Sequence, residues 1–122
     1  NTKKNMKTKT KQEQINEIVK AVAKVTGVTE QTMMSRLRRE EVVEARWIAW
    51  FFMHTHMGLQ LAVIGRKWGK GFDHATVIHG LKQIAYKLTY GRDWQLRPTM
   101  EDVAEELGIE VDLPKAQVKE VA

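Results

Sequence analysis

Seven consecutive residues, Trp47 to Met53 (WIAWFFM), are all apolar. At 3.6 residues per turn such a run covers every face of a helix. A helix with no side to offer water belongs at the centre of a bundle. The surrounding segment, Glu41 to about Met57, is therefore predicted as the central helix, with Trp47, Trp50, Phe51 and Phe52 in the core rather than stacked on bases. The run is far shorter than the roughly 20 residues that cross a bilayer. A central helix needs others around it, and the rest of the chain must supply them.

It does so with helical periodicity. Ile15, Ile18, Val19, Val22 and Val25 recur at helical spacing, which predicts a helix from about Gln14 to Thr26, stopped by Gly27. Thr29 caps a short second helix through Met33 and Met34, both read as core filler. Leu61, Ile64 and Trp68 make a two-turn amphipathic helix broken by Gly69 and Gly71. Val77, Ile78, Leu81, Ile84, Ala85 and Leu88 then form one stripe that runs to about Tyr90. Thr99 and Asp102 read as a capping box for a last helix, with Met100, Val103, Ala104 and Leu107 on its apolar face and Gly108 as its stop. IEVDLP beyond it reads as an extended strip. The class is all-α: a compact helical bundle, 43% hydrophobic, with no cysteine for disulfides or thiolate zinc sites.

Charge divides the chain into three. Residues 1–13 carry five lysines and almost no apolar side chain, predicting a flexible basic tail. Residues 14–92 form the core domain. From Arg36 to Arg92, ten basic residues stand against four acidic ones. Residues 93–122 form an acidic helix and tail; from Thr99 onward there are seven acids and two lysines. A basic middle predicts a polyanion-binding surface, and the acidic end a separate use. No apolar signal segment follows the basic N-terminus, so the expectation is a soluble, cytoplasmic chain without membrane attachment. The start at Asn1 suggests a processed or trimmed chain.

The stretch GFDHATVIHGLKQI, Gly71 to Ile84, is where chemistry is expected. Asp73 is placed to cap the helix that follows, its carboxylate accepting amide hydrogen bonds. Opposite that helix's apolar stripe lie Ala75, Thr76, His79, Lys82, Gln83 and Tyr86, a small, polar, basic face with no acid after Asp73. His74, in the first turn, can swing outward. Two helices joined by a tight glycine-containing turn are a helix-turn-helix, whose second helix fits a major groove.

Enzyme readings fail on spacing. His74 and His79 are about 140° apart around a helix, and His54 and His56 are two residues apart, so neither pair converges on zinc. GRKWGKG has too few residues between its glycines for a phosphate loop, and Gly71 stands where Ser or Thr is needed. There is no nucleophilic serine turn. No catalytic residue, metal, cofactor or nucleotide is implied.

The segment Ile15–Ile84 resembles the C-terminal DNA-binding domain (domain IV) of the bacterial replication initiator DnaA. The resemblance is carried in order by INEIVKAVAKVTGV, SRLRREEV, EARWIAWFF, LAVIG and DHATVIHG. It implies that Arg38 enters a minor groove, that Arg46 contacts the DNA backbone, and that Leu61 and Ala62 start the helix lying against that backbone. It further implies base contacts from Asp73 and His74, a phosphate near the Thr76 hydroxyl, and a commonly basic position at Lys82. Three departures stand out. Phe72 occupies a place usually held by arginine, the turn is about one residue longer, and Ala75 replaces a threonine that reads a base. Lys70 can replace the missing arginine's phosphate contact.

The resulting expectation is a double-stranded DNA-binding module acting in replication initiation or its regulation. Asp73, His74, Ala75, Thr76 and His79 would face the major groove and Arg38 the minor groove. Arg36, Arg39, Arg46, Leu61, Ala62, Lys70 and Lys82 would meet phosphates, with Arg66 and Lys67 adding charge. Nothing resembles an ATPase domain, so a stand-alone chain suggests a bacterial, phage or mobile-element protein. The alternative is a protein-interaction adaptor that keeps the fold and docks a replication or regulatory protein through the acidic helix, around Glu101, Asp102, Glu105 and Glu106.

Overall fold

The computed structural model describes residues 9–69, 71–91 and 94–117, and every regular element among them is a helix. The first, α1 (Lys11–Thr26), begins three residues before Gln14. Glu13 N–H donates to Thr10 Oγ1 at 3.0 Å while Thr10 N–H donates to Glu13 Oε1 at 2.9 Å. This reciprocal box satisfies two of the amides a helix start leaves without partners. Lys11, Gln12 and Glu13 therefore belong to the helix and not to the tail. Residues 1–8 of that tail lie outside the described residues.

Helix α2 (Glu30–Met33) is capped by Thr29, which accepts from Thr32 N–H at 3.1 Å. Only one of its two methionines fills the core: Met33 is buried and Met34 is 38% exposed. Helix α3 (Glu40–Thr55) occupies the centre, with Ile48, Ala49, Trp50, Phe52 and Met53 all buried. Trp47 and Phe51 are half-buried. Around α3 pack α1, α2, α4 (Leu61–Trp68) and α5 (His74–Tyr90).

The last helix, α6 (Leu96–Leu107), starts three residues before the expected Thr99 cap. Thr99 lies inside the helix and the predicted capping box does not form. Pro98 is the third helical residue, where its missing N–H costs no intrahelical bond. Leu96, Met100, Val103 and Ala104 are buried in the same hydrophobic core as α1–α5, against α1 and α5. The acidic segment is thus not an appendage to residues 14–92; its helix completes their core. Burying four such side chains contributes on the order of 5 kcal/mol, a large part of a small domain's stability. Lys24 Nζ meets Glu106 Oε2 at 3.1 Å on the outer edge of that contact.

Beyond α6, residues 109–117 form no regular element, and the strip expected there pairs with no strand among the described residues. Ile109, Val111 and Leu113 lie half-buried on the core. Arg97 donates to Leu88 O at 3.1 Å and to Pro114 O, and Gln117 N–H donates to Thr89 O at 2.7 Å. No described helix is long and apolar enough to cross a membrane.

Candidate nucleic-acid interface

Helix α4 and helix α5 meet at a turn through Gly69 and Gly71. Gly71 has φ +90°, a left-handed conformation that side chains disfavour. Lys70 lies outside the described residues, so its expected phosphate contact has no geometry here. Asp73 caps α5 as predicted. Its Oδ1 accepts from Thr76 N–H and from the Thr76 hydroxyl, both at 2.9 Å. The Thr76 N–H bond, then the hydroxyl bond, hold the Asp73 carboxyl below its usual range. Thr76 therefore commits its only hydroxyl proton to Asp73; to donate to a phosphate it must turn away.

The outward face of α5 is close to the expected one. Ala75, His79, Lys82 and Tyr86 are exposed, while Thr76 and Gln83 are half-buried. The buried side centres on Val77, Ile84 and Leu88 and includes Gly80. It is rotated away from Ile78 and Ala85, and Ala85 is exposed. Gly80 sets that rotation: a Cβ there would collide with the Trp47 ring, so the glycine lets α5 close onto α3. Trp47 then meets the His79 ring edge-on at 5.9 Å. Lys87, one of the ten bases, turns inward to Glu44 Oε2 at 2.8 Å and sits 5.7 Å from the Trp47 ring centre.

Arg46 departs most from its expected role. It is only 4% exposed. Its Nε donates to Met33 O at 2.8 Å, and one terminal nitrogen donates to Leu37 O at 2.7 Å and to Ser35 O. These bonds make Arg46 a clamp on the backbone of the arginine loop, residues 34–39, while its side chain also borders the cleft between that loop and α5. Burial, and after it the nearby charge of Arg38, lowers its pKa. The sequence did contain a signal. Val42, Arg46, Ala49 and Met53 share one face of α3, and the other three are apolar.

The clamped loop presents Arg36, Arg38 and Arg39, all exposed. Arg39 pairs with Glu41 at 3.0 Å, an exposed contact that water and salt weaken. Arg36, Arg38, Arg46, Phe72, Thr76 and His79 line a cleft that separates the loop from α5. On the other side of Phe72, Ala62, Arg66 and His74 border a shallower depression between α4 and α5. Ala62 is exposed and Leu61 half-buried at the start of α4, where Gln60 makes no side-chain cap. Amides of that first turn keep the partial positive charge of a helix start.

Among the described residues, no three histidine or acidic side chains converge as a metal site. His54 and His56 are exposed at the end of α3, with His54 Nδ1 2.9 Å from Leu59 O.

The family model described as "Bacterial dnaA protein helix-turn-helix" matches residues 15–84. The chain is also similar to proteins named "Chromosomal replication initiator protein DnaA". That of Picosynechococcus sp. is 38% identical over 72 residues, 59% of this chain and 16% of the relative. That of Thermodesulfovibrio yellowstonii is 40% identical over 67 residues, 55% of this chain and 15% of the relative. That of Thermotoga petrophila is 29% identical over 93 residues, 76% of this chain and 20% of the relative. The chain thus spans no more than about a fifth of the length of these relatives.

Proposed function

Because the chain belongs to the bacterial DnaA helix-turn-helix family, we propose that it binds double-stranded DNA sequence-specifically, in replication initiation or its regulation. The observation that carries this reading is the cleft with arginines on one wall and the start of α5 on the other. Two such walls can straddle one sugar-phosphate strand and reach the grooves on either side of it. In this reading Asp73, His74, Ala75, Thr76 and His79 face the major groove, where their side chains can meet base edges. Asp73 Oδ1 stays with Thr76 and its second oxygen accepts from a base. Ala75 offers a methyl to a thymine methyl but no hydrogen bond. Arg38 reaches the minor groove.

Phosphates are met by Arg36, Arg39, Lys70, Lys82 and the first-turn amides of Leu61 and Ala62, with Arg66 and Lys67 adding charge. Phosphate contacts position the protein, while base contacts specify the site. With that role the module would act in the cytoplasm.

The test is fluorescence anisotropy with a duplex carrying an initiator-type box and with a scrambled duplex, over a salt series. The box is expected to be preferred, and Arg38→Ala and His74→Ala to lose that preference while staying folded. With about six cations at phosphates, log K should fall with log salt at a slope of roughly −5. Equal binding to both duplexes would refute specific reading. Absence of binding at low salt would refute the DNA role and favour an adaptor using the exposed acids of α6.

A further inference from the structure

Phe72 stands where the arginine loop meets the turn before α5. Its ring centre lies 6.0 Å from the Arg36 guanidinium carbon and 5.6 Å from that of Arg46. Trp50 packs against the same ring edge-to-face, with centroids 6.0 Å apart and planes at 71°. The neighbouring Gly71 leaves room for Arg36, whose guanidinium would collide with a Cβ at that position. Arg46, meanwhile, bonds the carbonyls of Ser35 and Leu37, the residues on either side of Arg36. One aromatic ring therefore touches both the cation that clamps the loop and a cation that the loop carries.

The charges make this contact more than packing. Arg36, Arg38 and Arg46 line one cleft, and Arg46 has no carboxylate partner among the described residues. Like charges so close repel one another, and burial removes the water that would screen them. The face of a phenylalanine ring is electron-rich and attracts guanidinium groups within about 6 Å. An aliphatic side chain of similar size would fill the space without that attraction. Trp50 adds rigidity beneath the ring. Among the described residues its buried Nε1 has no hydrogen-bond partner, and the rings of Phe72 and Trp68 pack edge-on with the Trp50 ring.

We propose that Phe72 is a positioning residue for DNA recognition: its ring couples the arginine loop to the first turn of α5, so that Arg38 and Asp73–Thr76 meet a duplex at a fixed spacing. The role in recognition rests on the DNA-binding reading above; the mechanical coupling does not. A fixed spacing favours duplexes whose major-groove and minor-groove features are in register. It adds nothing for a duplex held only by its phosphates. Loss of the ring should therefore reduce discrimination between sites more than it reduces affinity.

The experiment uses the full chain with Phe72→Leu, read in two ways. Amide hydrogen exchange without DNA compares residues 34–39 with residues 45–53 of α3 as an internal reference. Loop exchange should quicken about tenfold with the reference unchanged, the size expected for losing two cation–ring contacts. Anisotropy should show the preference for the box over the scrambled duplex falling about tenfold, with scrambled-duplex affinity within about twofold of wild type. Arg38→Ala should then cost far less preference in the Phe72→Leu background than in wild type.

Unchanged loop exchange would overturn the coupling, whatever the DNA result. A loosened loop with box preference intact, or additive effects of the two substitutions, would overturn its role in recognition. If Phe72→Leu also exposes α3 to exchange, Arg36→Met removes one of the two cations at an exposed position and is judged by the same loop criterion. A wild-type chain without box preference would sink the DNA reading on its own, while the exchange comparison still decides whether the ring holds the loop.

Discussion

Replacing Arg46 by lysine separates two roles that arginine could play. A phosphate contact needs a positive charge, and lysine keeps it. A clamp on three carbonyls needs the planar fork, and lysine lacks it. Met33 O also accepts from Trp68 Nε1 at 3.1 Å, so it retains a partner after the substitution. Ser35 O and Leu37 O depend on the guanidinium. A lysine ammonium can recover one of them at best. A hydrogen bond to a charged donor contributes about 1.5–3 kcal/mol, and the part-exposed loop lets water replace some of that loss. The expected cost of Arg46→Lys is about 2 kcal/mol. In urea unfolding followed by tryptophan fluorescence, the midpoint should fall by roughly 1 M for a domain of this size. The salt slope of DNA binding should stay unchanged in Arg46→Met, because no phosphate-bound cation is lost. Stability of Arg46→Lys within about 0.5 kcal/mol of wild type, together with a slope flattened by about 0.9 in Arg46→Met, would refute the clamp.

Two further substitutions test the start and the seat of α5. The Asp73 carboxyl is held below its usual range by Thr76. Its stabilising effect is therefore complete above the unfolded carboxylate pKa and is lost as pH falls through the lower folded value. The stability advantage of wild type over Asp73→Asn should shrink across that acidic window in urea melts; an advantage that grows toward acid would contradict the cap. Gly80→Ala gains up to about 1 kcal/mol of helix propensity but drives a methyl into the Trp47 ring. Overpacking of this kind costs about 1–3 kcal/mol, so the melting temperature should fall by several degrees, roughly 4 °C. A higher melting temperature would mean that α5 does not need its close approach to α3.

What was legible in the sequence followed from apolar periodicity and side-chain caps. Trp47–Met53 required a central helix, and Thr29 and Asp73 marked the starts of α2 and α5 through hydroxyl or carboxylate acceptors. The starts of α1 and α6 were misplaced for opposite reasons. The first turn of α1 is polar, so periodicity beginning at Ile15 hid the box between Thr10 and Glu13. At α6 the Thr99 and Asp102 spacing looked like a box, but Leu96 has an apolar place to go and Pro98 is tolerated in a first turn. Burial outweighed a local cap. The rotation of α5 was illegible because it depends on Gly80, a residue that an apolar stripe passes over. The contact it permits, with Trp47, is 33 positions away in the chain.

Charge was the least legible property, because a residue's sign does not state where its head group goes. Of the ten bases between Arg36 and Arg92, Lys70 and Arg92 lie outside the described residues. Two of the remaining eight are used internally: Arg46 on loop carbonyls and Lys87 on Glu44. Six stay exposed: Arg36, Arg38, Arg39, Arg66, Lys67 and Lys82. A surface on which all ten met phosphates would give a salt slope near −9, whereas the six assigned to phosphates in the proposed reading (Arg36, Arg39, Arg66, Lys67, Lys70 and Lys82) give about −5. The lower number shifts weight from general attraction to placement. A module with few phosphate anchors discriminates best when its groove-reading groups are held at one separation. In the proposed reading Arg46 would supply that hold from the loop side by binding backbone, and Asp73 from the helix side by fixing the first turn of α5. Both tasks take a charged side chain out of the pool that attracts DNA or repels it, and convert charge into geometry.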